Sequence, residues 1–235
     1  IMKHTLLIKD WLSSFLSLLF PRCCVVCGRP LAKGEECICT VCNINLPRTN
    51  YHLRKDNPVE RLFWGQIPLE RATSFFFYEK GSDFRLILHR LKYGGQKEIG
   101  AIMGRYMAAE LLSSNFFQGI DVIIPIPLHK KKQQIRGYNQ SEWIARGIAA
   151  VTGIPIDTES ILRKKNTETQ TRKSVFERRD NVEGIFELQH PETLAGKHIL
   201  IVDDVLTTGS TTLACASCLV NVEGIRISIL TLATA

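Results

Sequence analysis

Short apolar runs alternate with amphipathic segments along most of this chain. The runs at 72–78, 121–128, 199–202 and 225–232 predict strands, and the unbroken run at 199–202 is typical of a strand buried on both faces. Elsewhere apolar residues recur at helical spacing, as in the segment 84–91. This pattern predicts an α/β domain built on one buried sheet.

Residues suited to ligand chemistry follow directly after the run at 199–202. Two adjacent acids, Asp203 and Asp204, stand where the strand is expected to end. A small, hydroxyl-rich turn then leads into a predicted helix and consists of Thr207, Thr208, Gly209, Ser210 and Thr211. The backbone N–H groups of such a turn and the positive end of the helix dipole form a site for phosphate.

The two acids would repel a phosphate group, so we expect them to bind adjacent sugar hydroxyls or a divalent metal. A ribose 5-phosphate group meets both demands at once. A P-loop would carry a lysine at the start of the helix, and this turn has none. A buried strand with an unspecialised polar turn stays the simplest alternative.

Two close cysteine pairs lie in the N-terminal part of the chain. Cys24 and Cys27 form one Cys-x2-Cys pair, Cys39 and Cys42 form the other, and eleven residues separate the two pairs. Four thiolates complete a closed tetrahedral shell, so the spacing predicts a structural zinc site rather than a catalytic one.

Further cysteines leave the ligand set open at this point. Cys23 or Cys37 could replace a neighbour in the shell, and disulfides are the alternative, although a cytoplasmic location argues against them. The segment is too short for a hydrophobic core of its own, so we expect the metal to supply its folding energy. Cys215 and Cys218 form a third close pair, which we expect to be buried filler inside a helix.

A second cationic transition from strand to helix follows the prolines of the segment 121–128. Lys130 and Arg136 carry positive charge there, ahead of a helix that Asn139 caps, and the arrangement predicts a second phosphate site. A solvated basic loop is the alternative. Lys92 could also touch a substrate, although a helix that ends in Lys and Gly has an ordinary explanation.

The segment 163–181 is strongly polar and lacks apolar periodicity over its first half, which predicts a long loop. Arg178 and Arg179 lie in its second half. Basic loops beside α/β active sites often act as lids that exclude water. A disordered surface loop is the alternative.

Composition adds less than these motifs do. The 235 residues are 45% hydrophobic with a formal net charge of +7, which suits a packed domain and either an anionic ligand or a nucleic acid. The apolar stretch 11–20 is too short to span a bilayer, so we expect a soluble cytoplasmic protein in which this stretch packs as a helix. Docking of that helix on a membrane surface is the alternative.

Taken in order, the motifs resemble those of the ComF/GntX family, whose members are often described as amidophosphoribosyltransferase-like. The matching stretches are the two cysteine pairs, Leu91–Gly94, Pro125–Leu128, Arg136–Gln140, Thr169–Thr171, Arg178–Asn181, and the acid pair with its hydroxyl-rich turn. The resemblance covers residues 20–232 and implies a type I phosphoribosyltransferase fold, a mostly parallel twisted sheet flanked by helices, with an N-terminal zinc-ribbon-like segment.

The same resemblance implies a division of the chain and a biological context. Residues 1–50 would hold the N-terminal helix and the zinc site, and residues 51–235 the phosphoribosyltransferase-like domain. Within that domain, 51–80 would be a hood or linker and 81–235 the core. Members of the family are linked to DNA uptake in natural competence.

The chemistry implied by the resemblance is binding of phosphoribosyl pyrophosphate with Mg²⁺ and transfer of its phosphoribosyl group to an acceptor. Asp203 and Asp204 would hold the ribose hydroxyls and stabilise a developing oxocarbenium-like charge, while the hydroxyl-rich turn would hold the 5-phosphate. The pyrophosphate would be held by basic residues of the two loops, namely Lys130, Arg136 and Arg178 or Arg179.

Two other functions are compatible with the resemblance. One is a non-enzymatic sensor of phosphoribosyl pyrophosphate that controls contact with a partner. The other is an accessory of a competence helicase that binds single-stranded DNA through the zinc segment and the basic loops. A homo-oligomer is compatible with each of these functions.

Overall fold

The computed structural model describes residues 21–164 and 184–235. In chain order its helices and strands are α1 (Thr40–Ile44), α2 (Pro58–Arg61), β1 (Leu69–Phe77), α3 (Arg85–Tyr93), α4 (Glu98–Leu111), β2 (Val122–Pro125), α5 (Lys130–Arg136), α6 (Gln140–Thr152), β3 (Ile161–Arg163), β4 (Phe186–Leu188), β5 (His198–Leu206), α7 (Ser210–Ser217) and β6 (Arg226–Thr234). The expectations for 1–20 and for the lid, with Arg178 and Arg179, lie outside the described residues.

Four parallel strands form the central sheet in the order β1-β6-β5-β2. The segment Ile199–Val202 of β5 is completely buried, because neighbouring strands flank it and both faces of the sheet are covered. The predicted α/β architecture is therefore confirmed. Since the strands are parallel, the residues that follow β5 and those that follow β2 emerge at the same edge of the sheet.

Alternate residues of β5 face two different hydrophobic clusters. Leu200 and Val202 belong to the cluster that includes α4 and α6, whereas Ile199 and Ile201 belong to the cluster that includes α7. Cys215 is fully buried in that second cluster, as predicted for a filler residue. β3 and β4 form a separate antiparallel pair.

Helices α4 and α6 cross at a distance that only glycine permits. A Cβ atom at Gly147 would lie 2.1 Å from the carbonyl oxygen of Ala101, and one at Gly104 would lie 2.3 Å from that of Ile144. Both positions would overlap backbone, which cannot move aside as a flexible side chain can. The close crossing fixes where α6 begins, and α6 begins at the carboxyl edge of the sheet.

The cysteine-rich segment 21–50 shares the core of the sheet. Val25 and Ile38 are buried in the same cluster as Leu200. At its end Arg48 forms an ion pair with Glu110 of α4, with Nε 2.6 Å from Oε2. The segment thus gains apolar burial from the rest of the chain in addition to whatever a metal supplies.

The basic segment after β2 differs from the prediction. The basic residues after β2, expected in a loop, form the helix α5, whose start the His129 side chain caps by accepting a hydrogen bond from the Lys131 N–H at 3.3 Å. Lysine and glutamine are good helix formers, and no proline occurs within this stretch to interrupt them.

Within the two described ranges, no helix has the length and apolar character needed to cross a bilayer.

Candidate ligand site and candidate zinc centre

The acid pair lies in the carboxyl half of β5 and not at its end as predicted, because pairing with β6 continues to Leu206. It is withdrawn from solvent, with 8% of Asp203 and 4% of Asp204 exposed. Ser141 at the start of α6 donates its hydroxyl to Asp203 Oδ1 at 2.9 Å, and the backbone N–H of Asp204 donates to the same oxygen at 2.8 Å. Burial, followed by the charge of Asp204, raises the pKa of Asp203 to about 7. Near neutral pH, Asp203 can therefore either donate or accept a hydrogen bond.

Asp204 interacts with a cation from a distant part of the chain. The ammonium of Lys92, at the end of α3, lies 3.1 Å from Asp204 Oδ2. That oxygen is buried, and within the described part of the chain no hydrogen bond reaches it. Asp204 Oδ2 thus has an ion pair with Lys92 and no further hydrogen bond among the described residues.

The turn after β5 leads directly into helix α7. Gly209 has a φ of 74°, a left-handed conformation that glycine adopts without strain, and helix α7 begins at the next residue. Thr207, Thr208 and Thr211 are exposed, and the hydroxyl oxygens of Thr208 and Ser210 lie 2.9 Å apart. The structure therefore brings the five residues of the turn and the two acids to one end of the sheet.

The buried ring of Phe63 packs against this turn. A Cβ atom added at Gly209 would lie 3.4 Å from the ring of Phe63, which is completely buried. Phe63 follows α2 and belongs to the stretch 51–80 that we expected to form a hood or linker. Sequence reasoning missed this contact, because an aromatic residue in a mixed apolar stretch carries no sign of what it supports.

The cations after β2 take different positions. Lys130 is exposed at the first turn of α5. Arg136 donates to the side-chain oxygen of Gln140 and lies over the ring of Tyr93, with its guanidinium carbon 5.6 Å from the ring centre. Because Tyr93 adjoins Lys92, Arg136 is tied to the helix end that reaches the acid pair, whereas Lys130 has no such tie described.

The thiols of the two cysteine pairs converge as a metal site would require. The sulfurs of Cys24, Cys27, Cys39 and Cys42 all lie within 4.8 Å of one another. The Cys27 and Cys39 sulfurs are 3.7 Å apart, and a zinc ion about 2.3 Å from each of four tetrahedral sulfurs requires a separation of about 3.8 Å. The four thiols therefore fit a structural zinc ion.

The two additional cysteines fall outside this set. In the described ranges the cluster contains neither Cys23, which is exposed, nor Cys37, which is buried. Burial, followed by the charge of Glu36, raises the pKa of Cys37 to about 12, so it stays a thiol. Burial also raises the pKa of Cys24, but hydrogen bonds from backbone N–H groups outweigh it and bring that pKa to about 7, whereas burial raises the pKa of Cys42.

Comparison with known proteins supports both the family and the domain. A family model described as the phosphoribosyl transferase domain matches residues 140–235, which include the acid pair and the turn. The DNA utilization protein YhgH of Escherichia coli O157:H7 is 32% identical over 209 residues, covering 83% of this chain and 88% of that protein. The competence protein ComFC of Bacillus subtilis is 26% identical over 214 residues, covering 89% and 82% respectively.

Among solved structures, the adenine phosphoribosyltransferase of Leishmania tarentolae is similar with a TM-score of 0.38 and 12% sequence identity. The match covers 80% of this chain and 94% of that one.

Replacing Cys39 by Ser should release the zinc ion. Serine keeps the capping role of Cys39 at the start of α1, where its side chain accepts from the Cys42 N–H, so the variant removes the thiolate selectively. We expect metal analysis to show a fall from about one zinc ion per chain to near zero, with faster hydrogen exchange in 21–50. Cys23→Ser is the matched control and should keep its zinc. Equal zinc in the two variants would refute the assigned ligand set.

Replacing Asp203 by Asn should stabilise the fold, and increasingly so as pH rises. The pKa of Asp203 is raised from 3.8 to about 7 in the folded protein, so the folded state binds more protons than the unfolded state between these values. Its stability therefore falls across that window, by on the order of a few kcal/mol, and asparagine removes this loss while keeping an acceptor for Ser141. Thermal unfolding from pH 4 to pH 8 measures the effect. A difference in melting temperature that does not grow with pH would contradict it.

Proposed function

The chain belongs to the ComF/GntX family, and from that premise we propose that the acid pair and the hydroxyl-rich turn bind phosphoribosyl pyrophosphate. The observation that carries the proposal is Asp204 Oδ2, a buried acceptor with no hydrogen bond in the described structure, in the half of β5 that leads into the turn. The Lys92 ammonium, 3.1 Å away, compensates part of the cost of burying this charge, and a ligand's hydroxyl group would add the missing hydrogen bond.

Two vicinal hydroxyls match two adjacent carboxyl groups. Asp204 would accept from one hydroxyl, and Asp203, whose pKa of about 7 lets it carry a proton part of the time, could accept from or donate to the other. Ser141 holds Asp203 Oδ1 from the side of α6, so that carboxyl group is oriented before any ligand arrives. Pre-orientation of this kind reduces the entropy lost on binding.

The turn would hold the 5-phosphate. Helix α7 begins at Ser210, directly after the left-handed Gly209, so its first N–H groups and its dipole favour an anion there. The exposed hydroxyls of Thr207, Thr208 and Thr211 would add donors. The Phe63 ring beneath Gly209 would keep the backbone of the turn in place.

The pyrophosphate would lie toward the cations of α5. We assign this role to Lys130 and Arg136, together with Arg178 or Arg179 from outside the described residues. Mg²⁺ bound with the donor would offset the charge that develops on the leaving pyrophosphate.

The reaction would be substitution at the sugar C1. The bond from C1 to the pyrophosphate oxygen breaks, its electron pair leaves with pyrophosphate, and a nucleophilic acceptor forms the new bond to C1. Positive charge develops on the ring as the bond breaks, and the two carboxyl groups beneath the diol would stabilise it in a site largely closed to water.

Replacing Asp204 by Asn should weaken binding of phosphoribosyl pyrophosphate by about tenfold or more, because a hydrogen bond to a charged acceptor contributes about 1.5–3 kcal/mol. Calorimetric titration with Mg²⁺ present measures the affinity. Asp83→Asn, at an exposed position, is the matched control and should bind like the native chain. Undiminished affinity of the Asp204 variant, or no binding by the native chain, would refute the proposal. Release of pyrophosphate on adding acceptors then separates an enzyme from a sensor.

A second candidate function is binding of single-stranded DNA, in keeping with the names DNA utilization protein and competence protein among the relatives. The observation that favours it is helix α5, which carries the exposed cations Lys130 and Lys131 and ends at Arg136, which lies over the exposed ring of Tyr93. Cations that follow a backbone and a ring on which a base stacks are the usual means of binding single strands. A competence helicase would be a partner in this function.

Replacing Lys130 and Lys131 by Gln should reduce the salt dependence of single-strand binding. If each lysine contacts one phosphate, the slope of log affinity against log salt should fall by about 1.4 in magnitude, at about 0.7 per contact. Fluorescence anisotropy with a labelled oligothymidylate over a salt series measures this slope. Lys33 and Lys55, also exposed, provide the control pair. An equal slope in both variants would exclude α5 from the interface.

A further inference from the structure

One residue at the ligand site belongs to none of the roles assigned so far. Lys92 lies at the end of α3, and its ammonium is 3.1 Å from Asp204 Oδ2. Its side chain is 22% exposed and that of Asp204 is 5% exposed, so the ion pair is largely shielded from water. A lysine in the last turn of a helix ordinarily points to the last carbonyl groups of its own helix. Lys92 instead crosses to another element.

The end of α3 is held in place by two contacts other than this ion pair. The hydroxyl of Tyr138 donates to the carbonyl oxygen of Leu91, and Arg136 lies over the ring of Tyr93. Both partners come from the end of α5 and the turn that follows it. Lys92 is therefore aimed at the acid pair by neighbours on either side and does not reach it by chance from a free helix end.

The charges around the acids explain why a cation is needed there. Asp203 and Asp204 are adjacent and buried, and burial together with the charge of Asp204 raises the pKa of Asp203. Burial lowers the pKa of the Arg163 guanidinium, which lies over the ring of Phe186, and the charge of Asp203 opposes this lowering. Lys92 is the cation at Asp204. Without it, the buried charge of Asp204 would have no described counterion to hold it in place.

We infer that Lys92 is a positioning residue for the sugar-binding acids: its ion pair holds the Asp204 carboxylate in place so that it can accept a hydroxyl of the sugar. This inference rests on the proposed function, since it assigns the acids to the sugar diol. It does not make Lys92 a ligand of the phosphate or of the pyrophosphate. If Lys92 acts through Asp204, its replacement should weaken only the binding of sugars that carry both hydroxyls. If Lys92 contacts the phosphate, its replacement should weaken the binding of every sugar phosphate.

The test compares ribose 5-phosphate with 2-deoxyribose 5-phosphate, which lacks one of the two hydroxyls. The full chain should prefer the ribose form about tenfold or more, as expected for a hydrogen bond to a charged acceptor. Lys92→Met should reduce this preference to less than about threefold, mainly by weakening the ribose form, and Lys92→Arg should restore part of it. Arg85→Met removes an exposed cation from the same helix and should leave the preference intact.

A second measurement needs no ligand. Lys92→Met should lower the melting temperature of the native chain by several degrees but change that of Asp204→Asn by only about one degree, because the buried charge that requires a counterion is then absent. Equal losses in both backgrounds would mean that Lys92 stabilises the fold in some other way, and would overturn the inference.

The two measurements separate the possible failures. If both sugars lose affinity equally in Lys92→Met, Lys92 contacts the phosphate and the inference is wrong while the proposed function stands. If the native chain binds neither sugar phosphate, the proposed function fails. The melting temperatures then decide whether Lys92 holds Asp204: a loss confined to the native background supports that part of the inference, and equal losses overturn it.

Discussion

Two adjacent carboxyl groups held out of water are the constraint on which the functional end of this molecule depends. Burying a carboxylate is costly unless hydrogen bonds or opposite charges compensate, and here Asp203 and Asp204 must be compensated side by side. Ser141 supplies a hydroxyl from α6, and Lys92 supplies an ammonium from α3. What remains is a raised pKa on Asp203 and an Asp204 Oδ2 whose one described polar contact is the ion pair with Lys92. Locally unfavourable arrangements of this kind are common at binding sites, where a bound ligand supplies the missing interaction.

The rest of the fold can be understood as the means of bringing these donors together. The parallel sheet places the end of β5 beside the end of β2, from which α5 and α6 follow. The crossing of α4 and α6, which depends on Gly104 and Gly147, fixes the start of α6 and thereby Ser141. The cysteine-rich segment packs against α4 through the shared core and the Arg48 ion pair. A zinc ion there would therefore support the helix layer of the domain as well as its own segment.

Local spacing was enough to predict the parts of the site whose residues are close in the chain. Three such patterns can be read from a few consecutive residues: the buried run before Asp203, the turn around Gly209 and the two Cys-x2-Cys pairs. Strand burial, helix starts and zinc knuckles each depend on residues that are close in the chain. The extra cysteines could not be resolved in this way. Only the convergence of four sulfurs in space excludes Cys23 and Cys37.

Contacts between distant segments could not be predicted. Lys92 lies 112 positions before Asp204 and has an ordinary explanation as a helix end, and Phe63 carries no sign that it lies beneath Gly209. The burial of the acids was equally hidden, since aspartate residues are mostly exposed in folded proteins. The basic stretch of α5 was expected as a loop because its charges and the prolines before it were given more weight than its helix-forming lysine and glutamine residues and the cap at His129.

The account can be tested most directly by a crystal structure of the full chain grown with ribose 5-phosphate. It predicts the sugar lying across the end of β5, with its hydroxyls within hydrogen-bond distance of Asp203 and Asp204 and its phosphate on the backbone N–H groups of the turn at Gly209. A sugar phosphate bound elsewhere, or acids that contact only Ser141 and Lys92 in well-ordered crystals at saturating ligand, would contradict it.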